Sequence, residues 1–154
     1  MDSIRIFGYK SFKKLSVQLH PINLLIGANG AGKSNFLSLF EMLGNIYEKR
    51  LGAYVAQVGG VDKLLYQGRK VTDRIAVNLL IAKSEYDLAL LESDGKLIVE
   101  REVVGCYDDV CPLDLVRKNV ITEFQSESSL KDHKEEDLSN YISQIRKFHF
   151  HDTG

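Results

Sequence analysis

Apolar and polar residues alternate with a period of two at the start of the chain. Ser3–Tyr9 (SIRIFGY) puts Ile4, Ile6 and Gly8 on one face, and Leu15–Leu19 (LSVQL) does the same with Leu15, Val17 and Leu19. Such alternation signals half-buried strands, and the polar Lys10–Lys14 between them predicts a hairpin turn. Pro21 breaks the pattern before Ile22–Ile26 (INLLI), a continuous apolar run. A run without a polar face predicts a central strand covered on both sides. Beyond a glycine-rich loop, Phe36, Leu39, Phe40, Leu43, Ile46 and Tyr47 recur at spacings of three and four. That period predicts an amphipathic helix over Ser34–Arg50, ending near Gly52.

Val55–Gly68 fits no single period. Gly59-Gly60 marks a turn, and Val61–Tyr66 has the length of a short helix. Three strand-like runs follow: Arg74–Ala82, Tyr86–Leu91 and Leu97–Val104. Asp94-Gly95 between the last two is a hairpin-turn signal, so an antiparallel meander is expected. Residues 105–120 read as irregular and Ile121–Phe124 as a short strand. Leu130–Lys147 carries Leu138, Ile142 and Ile145 at helical spacing, and Phe148–His151 reads as a final strand. The expected fold class is α/β, a mixed core sheet plus an antiparallel meander, in a single domain over residues 1–154.

Composition narrows the class. At 44% hydrophobic residues the chain is too apolar for disorder. No apolar run approaches the roughly 18 residues of a membrane span, and the first residues lack the apolar core of a signal peptide. A soluble cytoplasmic protein without membrane partners is expected. The net charge of −1 gives no general attraction to nucleic acid, yet it is uneven: residues 1–50 balance at +4 and residues 51–154 at −5. A mildly basic N-terminal part fits a polyphosphate ligand, and equally a solvated charged face. Cys106 and Cys111, separated by Tyr107–Val110, are too few for a structural zinc site and read as reduced thiols.

One motif carries chemistry. Gly27-Ala28-Asn29-Gly30-Ala31-Gly32-Lys33-Ser34 matches GxxxxGK[ST]. Glycines at 27, 30 and 32 let successive backbone N–H groups turn toward one anion. A helix starting near Lys33 offers its positive end to the same phosphates. Lys33 reaches the β- and γ-phosphates, and the Ser34 hydroxyl serves Mg2+. The loop follows an apolar run and opens an amphipathic helix, the context this mechanism requires.

The surrounding residues read IRIFGYKSF and then INLLIGANGAGKSNFL. They resemble the N-terminal lobe of ABC-type P-loop ATPase heads of the SMC, RecF and OLD-nuclease group, and above all the small bacterial predicted ATPases of AAA type. The opening strand with Lys10-Ser11-Phe12, the Asn29-Gly30 pair and Ser34-Asn35 carry the likeness, and Phe148–Thr153 resembles a further segment. The resemblance implies a nucleotide site at residues 27–34 with Asn35, for ATP and Mg2+. It also implies a basic residue near the phosphates, here Lys10. A glutamine that senses Mg2+ and the attacking water falls on Gln125 or Gln144, with Gln125 preferred because it follows a strand-like run.

The resemblance also implies an LSGG-like signature, a strand ending in Asp-Glu and a switch histidine. None is found in these residues, so an incomplete head is expected, inactive in hydrolysis by itself. In the family two heads sandwich two nucleotides, which implies an ATP-dependent homodimer. DNA-linked work, in repair, maintenance or phage defence with a partner nuclease, is implied likewise. A non-catalytic nucleotide-binding module, or one part of a split ATPase, is the alternative. A small-molecule kinase fits poorly, because such kinases continue with alternating helices and parallel strands. His149 and His151 share a strand face, with Asp152 opposite, and make at most half a metal site.

Overall fold

The computed structural model describes residues 1–82, 84–106, 117–132 and 136–144. The strands are β1 (Ser3–Tyr9), β2 (Phe12–Gln18), β3 (Arg74–Ile81), β4 (Ser84–Ser93), β5 (Lys96–Cys106) and β6 (Arg117–Gln125). They form one sheet in the order β2-β1-β3-β4-β5-β6, with every neighbouring pair antiparallel. The helices are α1 (Lys33–Tyr47), α2 (Leu51–Gln57) and α3 (Glu136–Ser143). No helix among the described residues is long and apolar enough to cross a membrane.

Turn chemistry sets the hairpins. At Asp94-Gly95 both residues take left-handed angles, φ 51° and 79°. A two-residue loop of that kind twists with its strands, so Ser93 pairs directly with Lys96. β1 and β2 are joined by Lys10-Ser11, with Tyr9 opposite Phe12. After β2 the chain leaves the sheet, forms the glycine-rich loop, α1 and α2, and returns on the other side of β1 as β3.

The helices cover one face of the sheet. Ile4, Ile6, Ile75, Val77, Leu79, Leu88 and Leu90 rise from the strands to meet Phe36, Leu39, Met42, Leu43 and Ile46 of α1. Burying each such side chain contributes about 1.5–3 kcal/mol. Packing therefore holds α1, which has no side-chain cap at its N-terminus and no basic residue in its last turn. α2 is fixed at its start by Glu127, whose carboxylate accepts from Leu51 N at 3.0 Å. α3 buries Leu138 and Ile142.

Several expectations change. Ile22–Ile26 forms no strand: Ile22 is 90% exposed, Leu24 81% and Ile26 84%. A strand buried on both faces needs a neighbour on each side, and all six described strands are spent on one antiparallel sheet. The local sequence also resists extension, because Asn23 closes a turn on His20, accepting from His20 N at 3.0 Å and donating to His20 O at 2.6 Å. The mixed core sheet is therefore absent among the described residues. Leu15, Val17 and Leu19 are only half-buried, since β2 is an edge strand.

The short helix expected at Val61–Tyr66 is a 3-10 turn, Val61–Lys63. β6 begins at Arg117, inside the stretch expected to be irregular. The helix expected over Leu130–Lys147 is divided into a 3-10 turn, Leu130–Asp132, and α3. Cys111, Ile145, Phe148–His151 and Asp152 lie outside the described residues.

Three buried phenols, Tyr9, Tyr54 and Tyr86, are pushed above their ordinary range by burial and make stability pH-dependent. Tyr9 is bonded to Ser38 Oγ at 2.9 Å, and Tyr86 donates to Glu102. Burial pushes both hydroxyls far above their ordinary range near pH 10. Stability is thus full below about pH 10 and falls above it, because the unfolded chain ionises while the folded one keeps its protons. Each phenol contributes up to about 1.4 kcal/mol of loss per pH unit. Urea unfolding between about pH 9 and 11 is expected to show this decline, and Tyr86→Phe to flatten it; a level wild-type profile would contradict the assignment.

Candidate phosphate-binding site

The loop hangs between an exposed apolar segment and a well-anchored helix. Gly30 and Gly32 take φ 84° and 94°, a region that L side chains rarely adopt. Gly32 is constrained twice, since a Cβ there would lie 3.1 Å from Ser11 Oγ and 3.2 Å from the Phe12 ring. Gly27 differs from the expectation. Its φ is not left-handed, and a Cβ on it would press on Ala31 Cβ at 3.3 Å. Inside the loop Ala31 N donates to Ala28 O at 3.2 Å.

The helix that follows is left open at its positive end. Gly32 is its N-cap and its carbonyl accepts from Phe36 N at 2.9 Å. No side chain caps α1 and no acidic residue lies in its first turn. The first amides of a helix have no partner within it, so those of Lys33, Ser34 and Asn35 suit an anion. Lys33 Nζ donates to Gly27 O at 2.6 Å and Ala28 O at 2.8 Å, which holds the ammonium over the loop. Ser34 is exposed at the same helix start. These residues fit a triphosphate with its Mg2+: amides and Lys33 for the phosphates, Ser34 for the cation.

The neighbouring hairpin turn braces this arrangement. Asn35 Nδ2 donates to Ser11 Oγ at 2.9 Å. Lys10 Nζ donates to Ser38 Oγ at 2.8 Å and lies 5.5 Å from the Tyr9 ring centroid. Tyr9 and Tyr54 reach Ser38 as well, at Oγ and O. Lys10 thus engages α1 one turn beyond Ser34. Sequence reasoning missed Ser38, although a serine flanked by Leu37, Leu39 and Phe40 was a visible irregularity in the apolar stripe.

The structure does not bring Gln125 to the loop. It is exposed at the end of β6, opposite Val99, at the far edge of the sheet from β2. Gln144 is exposed just after α3. An apolar groove of about 500 Å3 borders the loop, walled by Phe12, Leu15, Val17, Phe36 and the 22–26 segment.

No curated protein and no solved structure matches the chain. The family model described as the AAA ATPase domain matches residues 1–150. The loop at 27–34 lies inside the matched residues, and the chain therefore belongs to that family of ATPase domains.

Proposed function

We propose that this chain binds the triphosphate of ATP with Mg2+ through Gly27–Ser34 and Asn35, as the first lobe of an ABC-type ATPase head of the SMC, RecF and OLD kind. One observation carries the reading: Lys33 over the loop, two left-handed glycines and an uncapped helix start follow one another within residues 27–35. Lys10 contributes by fixing α1 at Ser38 and lending positive charge near the site.

Hydrolysis in this family of reactions is positioning and charge neutralisation around an attacking water. We assign the water-orienting carboxylate and the signature motif to further chain or to a partner head. The exposed Ile22–Ile26 supports that assignment, since an apolar segment beside the loop gains burial when another lobe covers it. ATP would then draw two heads together, in DNA-linked work with or without a partner nuclease. A non-catalytic nucleotide module is the second reading, favoured by the lack of an apolar strand ending in Asp-Glu within this sequence.

Calorimetry tests the core of the proposal. ATP with Mg2+ is expected to bind and adenosine not to, because the contacts are to phosphate. Equal affinity for the two would reject the loop's role. Turnover by these 154 residues alone is expected to be negligible, and robust turnover abolished by Lys33→Ala would reject the division of labour.

A further inference from the structure

Among the described residues, the phosphate loop is tied to the rest of the fold at its exit. Its entrance follows the exposed Ile22–Ile26 segment. The bonds of Ala31 N to Ala28 O, and of Lys33 Nζ to Gly27 O and Ala28 O, run within the loop and the first residue of α1. At the exit the chain meets the β1–β2 turn. Ser11 Oγ accepts from Asn35 Nδ2 at 2.9 Å, and a Cβ on Gly32 would lie 3.1 Å from the same oxygen. One atom of Ser11 thus touches both the last glycine of the loop and the first turn of α1.

The turn that carries Ser11 is itself fixed. Tyr9 pairs with Phe12 across it. Lys10 N donates to Leu64 O at 2.7 Å and Tyr66 N to Gly8 O at 2.9 Å, so a second stretch of backbone holds the turn from outside. Tyr9 OH and Lys10 Nζ both meet Ser38 Oγ, at 2.9 and 2.8 Å. The turn is therefore registered against α1 at Ser38, and Ser11 extends that register to Asn35, three residues nearer the loop.

We propose that Ser11 is a positioning residue for the phosphate grip. Acting through Asn35, it sets the rotation of the first turn of α1, and with it the direction of the Lys33, Ser34 and Asn35 amides. Asn35 belongs to that turn, so its side chain and those amides move together. Donors aimed before the ligand arrives spare the cost of ordering them on binding. Ser11 needs no contact with the nucleotide for this role. The inference deepens the function proposed above and rests on its phosphate-binding reading.

The test is a double-mutant cycle read by calorimetry with ATP and Mg2+ on the whole chain. Ser11→Ala is expected to lower affinity about fivefold, the size of one net hydrogen bond. Its thermal midpoint is expected to match wild type, because Ser11 is exposed and outside the core. Ser11→Thr, which keeps the acceptor, is expected to restore affinity. In an Asn35→Ala background, where Ser11 has no amide to hold, Ser11→Ala is expected to change affinity less than about twofold. A second measurement needs no nucleotide. By 15N relaxation of the free protein, the backbone order parameters of Gly30–Ser34 are expected to fall in Ser11→Ala from about 0.85 toward about 0.6.

Wild-type affinity in Ser11→Ala would overturn the proposal. So would an equal loss in both backgrounds, which would take the effect away from Asn35. A lowered thermal midpoint in Ser11→Ala would overturn it by making the residue merely structural. Failure of wild type to bind ATP, with loop order lost in Ser11→Ala, would reject the nucleotide reading and leave the brace standing. The same failure with loop order unchanged would reject both.

Discussion

Lys33→Ala is expected to lower the affinity for ATP by roughly 100-fold, with little change in folding stability. The ammonium is placed over the loop by two carbonyls, Gly27 O and Ala28 O. A phosphate exchanges those neutral acceptors for anionic ones, and each charge-assisted hydrogen bond is worth about 1.5–3 kcal/mol. Two such bonds lost, offset by the cost of leaving the carbonyls, give about 2.7 kcal/mol, or 100-fold. The fold is indifferent because Lys33 contributes to neither the apolar core nor the sheet. Calorimetry with ATP and Mg2+, paired with a thermal unfolding curve, checks both halves. An affinity within threefold of wild type would remove Lys33 from the site.

Glu102→Ala is expected to cost about 3–5 kcal/mol, because it leaves several buried donors unpaired at about 1–3 kcal/mol each. Glu102 is 0% exposed and accepts four hydrogen bonds. The donors are Tyr86 OH at 2.5 Å, Thr122 Oγ1 at 2.8 Å, Ser128 Oγ at 2.6 Å and Ser129 N at 3.0 Å. They come from β4, β6 and the segment after β6, so one carboxylate joins three parts of the chain. Its removal leaves several buried donors without a partner and a void beside them. For a chain of this length the midpoint of thermal unfolding is expected to fall by about 10–15 °C. Glu102→Gln, which keeps the shape and one acceptor, is expected to lose less. A midpoint within about 2 °C of wild type for the alanine variant would show that the cluster contributes little.

The cluster illustrates where pattern reading fails. Strict alternation from Leu97 and Val99 turns Arg101 and Val103 inward and leaves Glu102 outside. The ladder slips between Ala89 and Leu90, so Arg101 pairs with Ala89 and Glu102 joins Leu88 on the helix-covered face. A bulge adds one residue to one strand and reverses the faces beyond it. The slip depends on which strand lies alongside, and no local period records that.

Local chemistry was legible directly. The phosphate loop, the strand period of β1, the helix period of α1 and the Asp94-Gly95 hairpin were all readable from a few adjacent residues. Each is governed by backbone geometry or by a single amphipathic face, and these act over a turn or two of chain. The family relationship was legible for the same reason, since its markers cluster around the loop.

Tertiary structure decided the rest. Ile22–Ile26 has the composition of a central strand, but a strand exists only through its neighbours, and none flanks this segment among the described residues. Lys10 was expected near the phosphates, and its ammonium engages Ser38, because the hairpin turn packs against α1 beyond the loop. Gln125 was matched by its place along the chain, yet strand order puts it at the opposite sheet edge from β2. The sequence by itself determined the loop's glycines, Lys33 and Ser34 and the helix they open, because these depend on contiguous residues. Only the fold decided what surrounds the grip, because hydrogen-bonded strand neighbours and buried carboxylates are chosen by residues far apart in the chain.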